Sequence, residues 1–227
     1  MKIQELTIYT SQLDEQRAFY SETLELPLLH KNTDSFKIAI GSSILAFHEK
    51  HKATPYHFAF NIPSNQAFEA LTWLHKKNIP LLKDEDHELI DLRSWNALSI
   101  YFYDPDRNIV ELIARKNLAI ENRDPFNSHA FLCISEIGIP CTNIQHVYQA
   151  LLPIDYFPRY DGDFSRFCAV GDESGLLILI QKEVREWFPT NDTAYSSNLQ
   201  LLFENNHAEK KQLTFQNGKI IKPTQSW

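Results

Sequence analysis

The chain repeats itself, and the repeat limits what it can fold into. ISEIGIPC (134–141) matches IQELTIYT (3–10) at Ile3/Ile134, Glu5/Glu136 and Ile8/Ile139, a constant offset of 131 residues. Residues 3–9 alternate like a half-buried strand, with Leu6 and Ile8 on one side and Glu5, Thr7 and Tyr9 on the other. Ser11 and Asp14 have the spacing of a helix cap with an acid in the first turn, and Leu13, Phe19, Tyr20 and Leu24 give the following segment an apolar stripe. Short strands follow around 28–30, 36–40 and 44–48, the last two parted by Gly41-Ser42-Ser43.

The same order returns twice more, followed by a remnant. YHFAFNI (56–62) opens a second unit. Its helix carries Phe68, Leu71 and Leu74 on one face and stops at Asn78-Ile79-Pro80, and strands follow at 81–82, 98–103 and 108–114. Residues 117–130, polar and containing Pro125, read as a linker. In the third unit Thr142 and Gln145 form a capping box before the stripe Ile144, Val147, Tyr148, Leu151. FCAVGDESGLLILI (167–180) then repeats FKIAIGSSILAF (36–47) with a small insertion. NLQLLFE (198–204) looks like a fourth first strand, and 213–221 like a hairpin that leaves this unit a remnant. Units of this size share a core. The fold class is therefore α+β, built from repeated β-α-β-β-β units that pair into a curled-sheet cup, with a second, degenerate half. The expected division is a complete two-unit domain at 1–116, the linker at 117–130, and a truncated domain at 131–227.

The totals exclude several function classes. Hydrophobic residues make up 43% of the 227 and charged residues 22%, the balance of a globular protein with a sizeable core. Twenty-two basic against 29 acidic residues give a net charge of −7, with no basic run able to track a phosphate backbone, so nucleic acid is not an expected partner. No stretch approaches the ~18 apolar residues of a membrane helix, and the N-terminus lacks the apolar core of a signal peptide. Cys133, Cys141 and Cys168 lie far apart with no CxxC spacing, as expected of reduced, packed thiols in a cytoplasmic protein. GxSxG, GxGxxG and GxxxxGK[ST] are all missing, so neither a serine nucleophile nor nucleotide binding has a motif behind it.

YFYDPDRNIVEL (101–112) closes the second unit and carries chemistry. A turn built on Asp104-Pro105-Asp106-Arg107-Asn108 delivers Glu111 into an apolar strand between Ile109 and Ile113. Burying that carboxylate without a partner costs about 2–7 kcal/mol or more, or forces it to take up a proton. A divalent cation is one suitable partner, and an arginine or lysine is another.

With Phe19-Tyr20 in the first helix and His57 opening the second unit, this ending resembles the vicinal oxygen chelate superfamily, which includes glyoxalase I, bleomycin-resistance proteins, fosfomycin-resistance transferases and extradiol dioxygenases. The resemblance covers 1–116 well and 131–204 loosely. It implies metal ligands on first and last strands, which fall here on Glu5, His57 and Glu111. A fourth ligand position falls near Ala46, which cannot bind, and His48 two residues on could stand in for it. Arg107 replaces the glycine usual in the turn, at a cost of about 1 kcal/mol if φ there is positive. The resemblance further implies a divalent metal (Zn, Ni, Co, Mn or Fe) acting on a small substrate with neighbouring oxygens, with Glu111 as general base. Tyr101 and Tyr103 would offer hydroxyls to the substrate. The chemistry implied is of the lyase or isomerase type. The alternatives are a metal-free ligand-binding protein of the bleomycin-resistance kind and an extradiol-type dioxygenase. Glu136 repeats Glu5, but no histidine matches His57 and no second DPDxNxxE ending follows. The second half is therefore expected to hold no metal and to cover the cup, shape the pocket or form a homodimer surface.

Overall fold

The computed structural model describes residues 1–221. Among the described residues, sixteen strands and three α-helices follow one another in repeated β-α-β-β-β order. The first unit comprises β1 (Lys2–Thr10), α1 (Leu13–Ala18), β2 (Leu28–Lys31), β3 (Ser35–Ile40) and β4 (Ser43–Glu49). The second comprises β5 (His57–Ile62), α2 (Ala67–Lys76), β6 (Leu81–Leu82), β7 (Ile90–Leu92), β8 (Ala97–Tyr103) and β9 (Ile109–Arg115). The third comprises β10 (Cys133–Cys141), α3 (Ile144–Leu151), β11 (Arg159–Gly162), β12 (Phe167–Asp172) and β13 (Gly175–Gln181). The remnant is β14 (Leu199–Glu204), β15 (Lys210–Gln216) and β16 (Lys219–Ile221). Within each complete unit the first strand runs parallel to the last.

The units do not pair in chain order. One sheet runs β16-β15-β14-β1-β4-β3-β2, the other β11-β12-β13-β10-β5-β9-β8-β6 with β7 also on β8. The second unit thus joins the third through the antiparallel β5–β10 pair, and the first joins the remnant through β1–β14. Pairing of units one and two within 1–116, the sequence expectation, is not how the sheets form. One core fills the space between the sheets and takes side chains from every unit, among them Leu6, Phe58, Ile137 and Phe203. The segment 117–130 packs onto α2 instead of spanning freely. Phe126 is buried against Trp73, and the Gln66 side chain donates to the Asp124 carbonyl.

Three local expectations differ from the structure. No side chain caps α1: Ser11 reaches Asp106 at 3.4 Å, while Thr10 Oγ1 accepts from the Gln12 N–H at 2.9 Å. Asn143, not Thr142, caps α3 by accepting from the His146 N–H. On α2 the buried face is Ala67, Ala70, Trp73 and Leu74, and Phe68 is exposed. Trp73 packs edge-on to Phe126 and Phe131 on that face.

Candidate functional site

The second sheet has two different faces. Phe58, Phe60, Val110, Leu112, Ile137 and Ile139 point into the shared core. On the opposite, concave face stand His57, Ala59 and Asn61 of β5, Glu111, Ile113 and Arg115 of β9, and Glu136 and Gly138 of β10. Strict alternation would place Ile134 and Glu136 together. A register shift between them, a β-bulge, lets Ile134 enter the core while Glu136 turns to the concave side.

His57, Glu111 and Glu136 are all buried, and one ligand atom from each lies within 4.8 Å of the other two. His57 Nδ1 lies 3.1 Å from the Ile109 carbonyl oxygen. A carbonyl only accepts, so Nδ1 carries the proton and Nε2 is left free. That nitrogen faces Glu111 Oε2 at 3.6 Å. Burial lowers the histidine's pKa, outweighing Glu111 and the Ile109 carbonyl, which raise it. A neutral imidazole therefore aims a lone pair at a carboxylate oxygen.

The surroundings hold the two acids in place. Ser99 donates to Glu111 Oε1 at 2.6 Å. Arg115, fully buried, donates through Nη2 to Glu136 Oε1 and through Nε to Asn61 Oδ1 at 3.2 Å, with its guanidinium over the Trp95 ring. Burial, then the charge of Glu111, pushes the Glu136 carboxyl up despite Arg115. That carboxyl is pushed up to about 8, so near neutral pH Glu136 holds a proton unless a further positive charge displaces it. Charge in such a setting needs a proton or a cation. A divalent ion fits this donor set: imidazole plus two carboxylates, each oriented by a partner behind it.

The cluster opens into a cavity of about 340 Å³. Its walls are aromatic. Trp187 packs on His57 with centroids 4.9 Å apart, Phe188 stands edge-on to Tyr101, and Trp95 and Phe167 close another side. A Cβ at residue 138 would lie 2.4 Å from the Trp187 ring, so glycine there is what lets the indole sit over the site.

The sequence-predicted residues divide. His57, Glu111 and Tyr101 meet at the cavity. Tyr101 is buried, and burial followed by the charges of Glu111 and Glu136 pushes its phenol up. Tyr103 instead donates to Asp192 at 2.6 Å and does not line the cavity. Glu5 lies in the other sheet, paired with Lys37 at 2.8 Å. His48 is exposed beside Tyr9, and Ala46 is buried in that same sheet. Glu136 takes the place expected of Glu5. The repeat had marked it as Glu5's equivalent, but which unit pairs with which was not written in the repeat. The position of β13 that answers Glu111 on β9 is Ile178, which brings no donor. Arg115, Ser99 and Trp187 carried no motif to single them out.

No protein-family model and no curated protein matches the sequence. Among solved structures, a "putative dioxygenase" from Bacillus subtilis superimposes with a TM-score of 0.61 at 14% identity, over 94% of this chain and 84% of that one. The chain shares the fold of that protein. A lactoylglutathione lyase from Agrobacterium tumefaciens matches 49% of this chain and 91% of its own at 21% identity (TM-score 0.43). The fosfomycin resistance protein FosX from Listeria monocytogenes, complexed with Mn(II), matches 51% and 90% at 19% identity (TM-score 0.40).

Proposed function

We propose that the chain is an enzyme that holds a divalent cation on His57, Glu111 and Glu136 and acts on a small molecule with neighbouring oxygens. The observation that carries this is the neutral His57 Nε2 facing Glu111 Oε2 at 3.6 Å inside a buried, acid-rich cluster. When bound, the cation would supply Lewis acidity to substrate oxygens. The chain's own groups do the rest. Ser99 and Arg115 fix the two carboxylates, and Trp187 and Phe188 supply aromatic walls to the cavity. Tyr101 stands beside Glu111 with a hydroxyl for a substrate oxygen. A carboxylate of the cluster can take a proton from a carbon next to a carbonyl, which is isomerase- or lyase-type chemistry. A dioxygenase is a weaker reading, because one histidine and two carboxylates depart from the two-histidine, one-carboxylate set of iron oxygenases.

A metal-free binding protein is the second reading, and the Arg115–Glu136 pair favours it. Arg115 already offsets one acid, so one bound proton would complete the cluster. Metal content after growth in metal-supplemented medium separates the two. The metal reading expects about one divalent ion per chain, lost in His57→Ala and Glu111→Gln. A wild-type chain without metal, or variants that keep it, would sink that reading.

A further inference from the structure

Beyond the buried cluster, the cavity is lined by a cation, Arg185, that pairs with no acid among the described residues. The segment after β13 crosses the cavity mouth and is fastened at both ends of its turn. The Lys182 N–H bonds to the Cys141 carbonyl, the Arg185 N–H to the Gln181 carbonyl, and the Trp187 N–H to the Asp192 carbonyl. Arg185 is thereby held at the wall, half-buried, its guanidinium 4.8 Å from the centre of the Phe167 ring. Among the described residues that guanidinium makes no hydrogen bond and no ion pair.

The acids that line the cavity are otherwise committed or turned away. Asp161 accepts from Trp95 Nε1 at 2.6 Å and from the Gly162 N–H at 2.7 Å. Glu111 and Glu136 are held by Ser99 and Arg115. Glu186 is exposed and forms no ion pair with Arg185. Arg166 is the other charge felt there, and burial followed by that neighbour lowers the Arg185 pKa with no acid opposing. A guanidinium that rests against an aromatic ring and makes no hydrogen bond has its N–H donors available for a two-pronged contact with a carboxylate. The remaining walls suit a flat ring, and the volume is at the small end of ligand sites, which run from about 300 to 1,000 Å³.

We infer that Arg185 determines specificity by binding the carboxylate of a single-ring aromatic substrate whose ring lies between the aromatic walls. This rests on reading the cavity as the substrate site, and it does not require the metal. Benzoate and its neutral isostere benzamide are the probes, titrated calorimetrically into wild-type protein, Arg185→Gln and Arg185→Lys, with metal content measured on the same samples. Wild type should prefer benzoate. Arg185→Gln should lose at least tenfold in benzoate affinity while benzamide changes less than twofold, and Arg185→Lys should fall between. Benzoate affinity unchanged in Arg185→Gln, a parallel loss for both probes, or no benzoate binding to wild type would each overturn the inference. A metal-free chain that keeps the benzoate preference would overturn the metal reading and leave this one standing.

Discussion

Arg115 shows how much one side chain can decide. It is fully buried, it joins Glu136 and Asn61, and it lies over Trp95. Removing one partner of a buried pair leaves the other charge uncompensated, at a cost of about 3–5 kcal/mol. Arg115→Ala should therefore lose about that much stability in urea unfolding. Arg115→Ala combined with Glu136→Ala should recover part of the loss; an additive double variant would mean the two side chains are not coupled. Ser99 acts on the site at one remove. Ser99→Ala removes the hydrogen bond that orients Glu111 and should weaken cation binding about 10–100-fold, measured by competition with a chelator, while the fold, read by circular dichroism, stays intact. At this scale the sequence was half legible. A carboxylate between isoleucines and a histidine at the head of a strand announced themselves. Arg115 follows directly on the alternating stretch 108–114, and nothing in the local pattern singled it out.

The turn between β8 and β9 is the element that delivers Glu111, and Asp104 is its centre. Asp104 Oδ1 accepts from the Asn108 N–H, and Oδ2 accepts from Tyr20 Oη at 2.9 Å and Asn108 Nδ2 at 2.7 Å. Arg107 has φ of 61°, the positive value its glycine-like position required, and it lies over Tyr103 at 4.1 Å. Burial raises the Asp104 pKa from 3.8 to about 6, against the hydrogen bonds that lower it. The folded state therefore binds more protons than the unfolded chain between those values, and stability contributed by Asp104 falls as pH rises from about 4 to 6. The size is on the order of 2–3 kcal/mol. Denaturant unfolding at several pH values should show this fall in wild type and lack that component in Asp104→Asn; identical profiles would contradict it. A second element to test is β10. Gly138→Val should push Trp187 off His57, seen as a shift in tryptophan emission, because the added Cβ alone overlaps the indole. The strands and their order were readable from alternation and turn residues. The bulges in β1 and β10 were not, because a bulge adds one residue without changing composition, and it reverses the face of everything before it.

For the whole molecule, the decisive fact is which units share a sheet. The cavity is closed by units two and three, while unit one completes its sheet with the C-terminal remnant. The repeat revealed that such units exist and that they pair, and the resemblance it supported matches the observed fold. It could not reveal the partners, because every first strand offers the same edge and the choice rests on long-range packing. Gly41 marks one such contact: at φ of 54°, its missing Cβ leaves room for the carbonyls of Phe131 and Leu132. Since one core takes side chains from all four units, unfolding in urea should be a single transition by fluorescence and circular dichroism. Two separated transitions would mean the sheets stand alone. The pairing also sets which acid stands beside His57 and Glu111: Glu136 and not Glu5. Crystals grown with Mn(II) and measured for anomalous scattering test it directly. One strong peak is expected within coordination distance of His57 Nε2, Glu111 and Glu136, with none near Glu5. A peak at Glu5, or an empty cluster at saturating Mn(II), would contradict it.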